Sequence, residues 1–332
     1  MQRRAAILSC AALLSIPAMG MAQSAEKKLR IGLLFGDAPL RHEEQALLEG
    51  LREQGLVEGK NLVIERRYAE GRVQLVPGFA RELAAMNLDA VISTCTPTTR
   101  AAQQAFGTTP SSTPIVMAAV ADPVGQRLIA SLARPGANIT GLSSQAEEIM
   151  PKMLGLFASV LARPTTVAVL VDTSSAVHPR MWQALGPVAQ KLNLKLVQVE
   201  AGRKPSDVQL PAAFEAAVRE QAGGIFVLPD EPFFLVNRAG IVALAAKHRL
   251  PAFYGLREFV DDGGLMSYGE SMRTAYRSVA SYIGKVAAGG RPGDMPVAQP
   301  TEFELVVNMK TAKMLGLTIP QTVLVSADEV IR

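Results

Sequence analysis

The chain has 332 residues, with 34 Lys and Arg against 30 Asp and Glu, and two cysteines. So even a balance offers no basic stripe to nucleic acid, and nucleic-acid binding is excluded as an expectation. The length exceeds the ~250 to 300 residues at which one core usually divides, so two lobes are expected.

The first residues, MQRRAAILSCAALLSIPAMGMAQS, place Arg3 and Arg4 ahead of an apolar run from Ala5 to Ile16, followed by the small residues Gly20 and Ala22. This is the pattern of a secretory signal, residues 1–22, with cleavage expected after Ala22. The run is short of the ~20 apolar residues that span a bilayer, so a retained anchor is disfavoured. Cys10 lies inside the run and not at its end, which argues against a lipid-acceptor role. Cleavage removes two arginines and no acid, lowering the formal charge of +4 by two, and leaves Cys95 as the remaining cysteine. No intramolecular disulfide can then form, and the core must hold the fold in an oxidising periplasm.

From residue 29 onward, short β-branched or Leu-rich runs alternate with amphipathic segments. Strands are predicted at LRIGLLF (29–35), LVIERRY (62–68), DAVIST (89–94) and PIVMAAV (114–120). Helices are predicted between them: His42 to Gln54, with Leu47, Leu48 and Leu51 on one face and Gly55 as stop, then Val76 to Met86 and Thr98 to Phe106. The alternation restarts with a helix from Ile149 to Val160, strand 166–172, helix Met181 to Leu192 and strand 195–200. Helix Pro211 to Glu220, strand 223–230, helix Asn237 to His248 and strand 250–255 follow. Such alternation predicts an α/β protein of two Rossmann-like lobes with parallel sheets covered on both faces.

Three turn-rich stretches interrupt the pattern, at 136–144, 263–271 and 296–306. Read as crossings between lobes they make a three-crossing hinge; they could equally be surface loops. As crossings they divide the chain into a first lobe of 29–139 plus 270–297 and a second of 140–269 plus 298–332.

Catalytic signatures are missing from the sequence: there is no GxxxxGK[ST], no GxGxxG after the first strand, no GxSxG and no HExxH. His42, His178 and His248 are dispersed, and HEE at 42–44 lacks a second ligand at zinc spacing, so neither metal nor cofactor is expected. A paired-thiol enzyme would need two cysteines, and the exported chain keeps one. Cys95 reads as a small buried residue at a strand end.

Four segments carry a specific resemblance: GLREQGLVEGKNLVIERRYAEGR (50–72), PIVMAAVADPVGQRLIASLARPGANITGLSS (114–144), AAKHRLPAFYGLREFVDDGGLMSYG (245–269) and FELVVNMKTAKMLGLTIPQTVLVSADEVI (303–331). In order and over nearly the whole exported chain, they resemble the ABC transporter substrate-binding proteins of the tryptophan/tyrosine-type family, a branch of the type I periplasmic binding fold. The resemblance implies a non-enzymatic, monomeric periplasmic protein that captures a small-molecule solute, an amino acid among the candidates, and delivers it to a membrane ABC permease. A periplasmic ligand sensor is the alternative within binding, and a cleft enzyme the alternative outside it. The segment FGTTPSSTP (106–114) departs from the family's shorter link and is expected to point away from the cleft.

Ligands of open parallel sheets bind beyond the carboxyl ends of the strands. That rule nominates Gly36 and Asp37 after the first strand, Thr96, Thr98 and Thr99 after the third, and Asp122 after the fourth. In the second lobe it nominates Asp172, Thr173, Ser174, Asp230, Glu231 and Tyr254, with Tyr268 on a crossing. The run TCTPTT (94–99) is the leading candidate for holding an anionic group at a helix N-terminus, although plain helix capping by its threonines accounts for it too. In PDEPFF (229–234) an acid could take an amino group beside Phe233 or Phe234, or could simply cap the next helix.

Overall fold

Two sheets organise the protein, each built from strands that the sequence punctuates with Gly- and Pro-rich turns. The computed structural model describes residues 28–37, 41–109, 112–161, 166–201, 203–204, 207–229 and 232–332. The expected signal at 1–22 and the candidates Asp230 and Glu231 lie outside the described residues.

The first run gives β1 (Leu29–Phe35), α1 (Arg41–Glu53), β2 (Leu62–Tyr68), α2 (Val76–Ala84), β3 (Ala90–Ser93), α3 (Thr96–Phe106), β4 (Ile115–Ala121) and β5 (Ile139–Ser144). The second gives α4 (Ala146–Val160), β6 (Thr166–Val171), α5 (His178–Lys191), β7 (Lys195–Glu200), β8 (Arg203–Lys204), β9 (Asp207–Val208), α6 (Leu210–Arg219) and β10 (Gly224–Val227). It continues through α7 (Pro232–Val236), α8 (Arg238–Lys247), β11 (Ala252–Tyr254), α9 (Arg257–Asp261) and β12 (Met266–Glu270). The remainder is α10 (Met272–Ala287), β13 (Phe303–Asn308), α11 (Met309–Met314), α12 (Gln321–Ser326) and β14 (Glu329–Ile331).

The first sheet has the order β2-β1-β3-β4-β5 and is parallel throughout. Its residues alternate between two cores, one shared with α1 and α10 and centred on Ile31, Leu47 and Tyr276, the other shared with α2 and α3 and centred on Leu34, Leu83 and Met117. The second sheet has the order β14-β13-β12-β11-β10-β6-β7, with β12 and β13 as its antiparallel pair. One face packs on α4 and α5 through Phe157 and Met181, the other on α6, α8 and α9 through Phe214, Ile241 and Phe259. β-branched and aromatic residues buried on both faces explain why the strands read as continuous apolar runs.

The chain passes between the sheets where β5 leads to α4, where β12 leads to α10, and between Ala298 and β13. Each turn-rich stretch therefore also contains a strand. The first lobe was expected to end at residue 139, yet β5 pairs with β4 along Ile115–Ile139 to Ala121–Ser144, so the first sheet extends to Ser144. The reason the sequence hid it is local: NITGLSS is rich in Gly and Ser, and it forms a strand because Gly141, at φ 124°, leaves room for Met117, whose carbonyl would lie 2.2 Å from an added Cβ. Opposite it the β4–β5 register shifts between Met117 and Val120, and Ala119 takes φ 51°. The bulge turns Ala119 into the wall of the cavity between the lobes.

Candidate ligand-binding cleft

The cavity opens at the carboxyl ends of both sheets and is lined from both lobes. Asp37, Glu43, Thr94, Cys95, Ser144 and Tyr276 come from the first, and Ile149, Met153, Leu235, Gly255, Leu256, Glu270 and Phe303 from the second. It encloses about 740 Å³ of free space, part of it open to solvent. The lobes meet closely around it. A Cβ on Gly36 would lie 2.7 Å from the Cys95 Sγ and 2.9 Å from Pro232 across the cleft, so glycine there permits the approach. Asp122 and Arg180 of α5 form an ion pair between the lobes.

Three carboxyl groups give the cavity its chemistry. Asp37 is 8% exposed and its Oδ1 has no hydrogen-bond partner among the described residues. Burial pushes its pKa up to about 7, opposed by a hydrogen bond from its own backbone N–H, with the negative charge of Glu258 adding to the rise and Arg238 opposing it. Glu43 is raised well above the usual carboxylate range by burial, then by the charges of Glu258 and Asp37. Arg238 is also engaged with Asp262 at 3.0 Å. Glu270 is raised to about 7 by burial, moderated by a hydrogen bond from the Ser144 hydroxyl. Tyr276, buried beneath Asp37 and Glu43, is likewise raised by burial and by their charges, with Thr94 as hydrogen-bond partner.

Of the nominated residues, Asp37 lies in this cavity. Gly36 stands beside it as a packing position, outside the lining. The threonines nominated after β3, Thr96, Thr98 and Thr99, lie outside the lining of this cavity. Thr98 Oγ1 accepts the backbone N–H groups of Thr94 (3.1 Å) and Cys95 (3.0 Å) and donates to the Cys95 carbonyl (2.9 Å). Thr99 donates to the same carbonyl at 2.9 Å and shares a 2.7 Å hydrogen bond with Ser93. Both are fully buried; Thr98 caps the N-terminus of α3, because the turn after the strand exposes amides that a side chain one turn later reaches, and Thr99 bonds back to the carbonyl one turn before it. Thr96 lines a separate recess with Arg100, opposite Ser174 and Val177.

The second-lobe nominees divide similarly. Asp172 Oδ1 accepts from the Ser174 amide (2.8 Å) and hydroxyl (2.6 Å), closing an Asx turn, and Thr173 is exposed beside it. Asp122 binds the Gly125 amide at 2.8 Å besides pairing with Arg180. Tyr254 stacks on Phe259 with ring centroids 4.6 Å apart in the second-lobe core, away from the cavity. Tyr268 accepts a 2.6 Å hydrogen bond from Lys152 and stacks on Phe303, which does line the cavity.

Glu43, Ser144, Glu270 and Tyr276 were not nominated, and of the run TCTPTT it is Thr94 and Cys95 that line the cavity. A signal for Glu43 was present: it precedes Leu47 and Leu51 at helical spacing on the buried stripe of α1, and an acid in line with core leucines faces inward. His178, dispersed in the sequence, proves to be a positioning residue. Its Nδ1 accepts the Asp172 N–H at 2.9 Å and its Nε2 donates to the Pro229 carbonyl at 3.0 Å, tying together the ends of β6 and β10 at the cleft.

Residues 33–331 match the family model of the ABC transporter substrate binding protein. A curated tyrosine-binding protein of Clostridioides difficile (strain R20291) is 23% identical over 294 residues, covering 88% of this chain and 81% of that protein. A conserved domain protein from Vibrio cholerae has 29% identity and a TM-score of 0.81, covering 92% of this chain and 99% of that one. A Streptococcus pneumonia ABC domain in complex with L-Trp scores 0.80 at 24% identity, covering 92% of this chain and 100% of that one. The ligand-free, open form of a substrate binding protein with adhesive properties from Clostridium difficile scores 0.63 at 22% identity, covering 92% and 99%. The likeness to ABC transporter substrate-binding proteins, read from the sequence, holds. Because the match runs from within the first strand to the last, across both sheets and the cavity between them, the chain belongs to the ABC transporter substrate binding protein family.

Proposed function

We propose that this protein is exported, captures a small amine-bearing solute between its lobes, with amino acids in the candidate class, and delivers it unchanged to a membrane ABC permease. The observation that carries the reading is the cavity lined from both lobes, in which the buried carboxyls of Asp37 and Glu43 stand without a cation in the lining among the described residues. A positively charged nitrogen supplies what desolvated carboxylates lack. The named ligands of the relatives, tyrosine and tryptophan, both carry such a group and an apolar body, as the walls of Ile149, Met153 and Phe303 require. A solute gripped by both lobes favours the closed arrangement and so couples capture to recognition by a permease.

A thermal-shift screen of amino acids and simple amines, followed by calorimetry and small-angle scattering, tests this. A true ligand at 100 times its Kd stabilises the folded state by about 2.7 kcal/mol, contracts the particle and is recovered chemically intact. If no amine-bearing solute stabilises the protein, or if the ligand is recovered altered, the reading fails.

A further inference from the structure

A second hollow lies at the far end of the second lobe, lined by Leu250 just before β11, Gly264 and Leu265 just before β12, and Leu315 just after α11. These are the amino ends of β11 and β12, whereas the cleft opens at their carboxyl ends, where Gly255 and Glu270 stand. The hollow holds about 640 Å³ of free space, part of it open to solvent, and every residue of its lining is described. One polar group bordering it is unmet. Tyr254, the last residue of β11, packs its ring on Phe259, and its Cε2 lies 2.6 Å from where a Cβ on Gly264 would stand, so the hydroxyl end of the ring borders the hollow. Tyr254 is 0% exposed, and its hydroxyl has no hydrogen-bond partner among the described residues. Burial raises its pKa above the ordinary phenol value, so the group keeps its proton and is a donor in want of an acceptor. The Thr311 hydroxyl in the same lining already donates to the Gly263 carbonyl at 2.8 Å. The charge in the lining is that of Arg249, an exposed residue. An unpartnered buried hydroxyl costs free energy that an acceptor recovers.

We propose that this hollow is a second binding site, for a small uncharged organic molecule with an apolar body and a carbonyl or ether oxygen that accepts from the Tyr254 hydroxyl. Leu250, Leu265 and Leu315 cover the apolar body, and among such walls a charge without a partner is costly to bury. The site is separate from the cleft and does not rest on the amine reading.

Cyclohexanone and methylenecyclohexane, alike in shape and different in the acceptor, are the probes, titrated into protein with methyl-labelled methionine and followed by NMR. Met314 reports on the hollow and Met153 on the cleft. Cyclohexanone is expected to move the Met314 methyl saturably and to leave Met153 in place. In Tyr254→Phe its affinity is expected to fall about fivefold, the worth of one hydrogen bond, while that of methylenecyclohexane changes by less than about twofold. The thermal midpoint of Tyr254→Phe is expected to match or exceed the parent's, because an unmet hydroxyl has been removed. Ala246→Trp, at an exposed lining position on α8, sets a large ring over the mouth and is expected to abolish the Met314 response to both probes while the fold holds. No saturable Met314 response to cyclohexanone overturns the site, as does a response that survives Ala246→Trp. An unchanged ketone affinity in Tyr254→Phe, or a midpoint lowered by more than about 3 °C, shows that the hydroxyl has another partner and overturns the assignment. A response of Met153 in place of Met314 puts the probe in the cleft and overturns it too.

Discussion

The loops after β1 and β3 leave neighbouring strands of the same sheet at the same edge, and both put short polar side chains at the mouth of the cleft. After β3, the donors and acceptors of Thr98, Thr99 and Ser93 close on one another and on the backbone. After β1, Asp37 is buried too, yet one carboxylate oxygen has no partner among the described residues. The difference teaches that polarity at a strand end is a poor guide to a ligand site, whereas an unmet hydrogen-bonding capacity in a buried group is a good one, because leaving it unmet costs free energy until something arrives.

The sharpest way to break this comparison is Thr98→Val. It strips the partner from the two backbone amides of Thr94 and Cys95, each an unsatisfied buried group costing ~1 to 3 kcal/mol. The expected loss of stability in urea unfolding is about 2 to 4 kcal/mol, while affinity of the folded protein for its solute stays within about twofold. A large affinity loss with little loss of stability would return the threonines to the binding site.

Asp37→Asn should show the mirror image. It removes a carboxyl whose pKa burial has raised to about 7, so near neutrality the folded protein is expected to be no less stable than the parent, while affinity for an amine falls by tenfold or more, about 1.4 kcal/mol. Calorimetric titration beside a denaturation curve separates the two quantities.

Titration sharpens the same contrast. Asp37 and Glu270 are both raised to about 7 in the folded protein from ordinary values of 3.8 and 4.5. A raised carboxyl favours folding while protonated, so the folded state holds extra protons between those limits. Their contribution is complete below the unfolded values and is lost as pH rises towards 7. The unfolding free energy of the Asp37→Asn, Glu270→Gln double variant, relative to the parent, should therefore increase from pH 4.5 to pH 7.5. A constant difference across that range would show that these groups are not raised.

The smallest effect is expected at the ion pair between the lobes. Asp122 and Arg180 are partly exposed, and such pairs contribute ~0 to 1 kcal/mol. Asp122→Asn should weaken solute affinity no more than about fivefold, chiefly through faster release in stopped-flow measurements, and less so in high salt. A fall of a hundredfold would make Asp122 a ligand contact.

The sequence by itself determined the alternation of strands and helices, hence two parallel α/β lobes, because burial on both sheet faces writes long apolar runs that no tertiary detail can disguise. β2 and β7 coincide with the predicted segments LVIERRY and KLVQVE. Asp37 was also legible, since the end of β1 is where such folds bind ligands. What only the tertiary structure decided was which polar groups remained unsatisfied. β5 became a strand because Gly141 met Met117, Glu43 and Glu270 became cavity groups because two lobes closed over them, and Thr98 became a cap because its own backbone reached it first. Strand and helix patterns are local and repeat along the chain, whereas hydrogen-bond satisfaction and desolvation depend on neighbours distant in sequence, which only folding brings together.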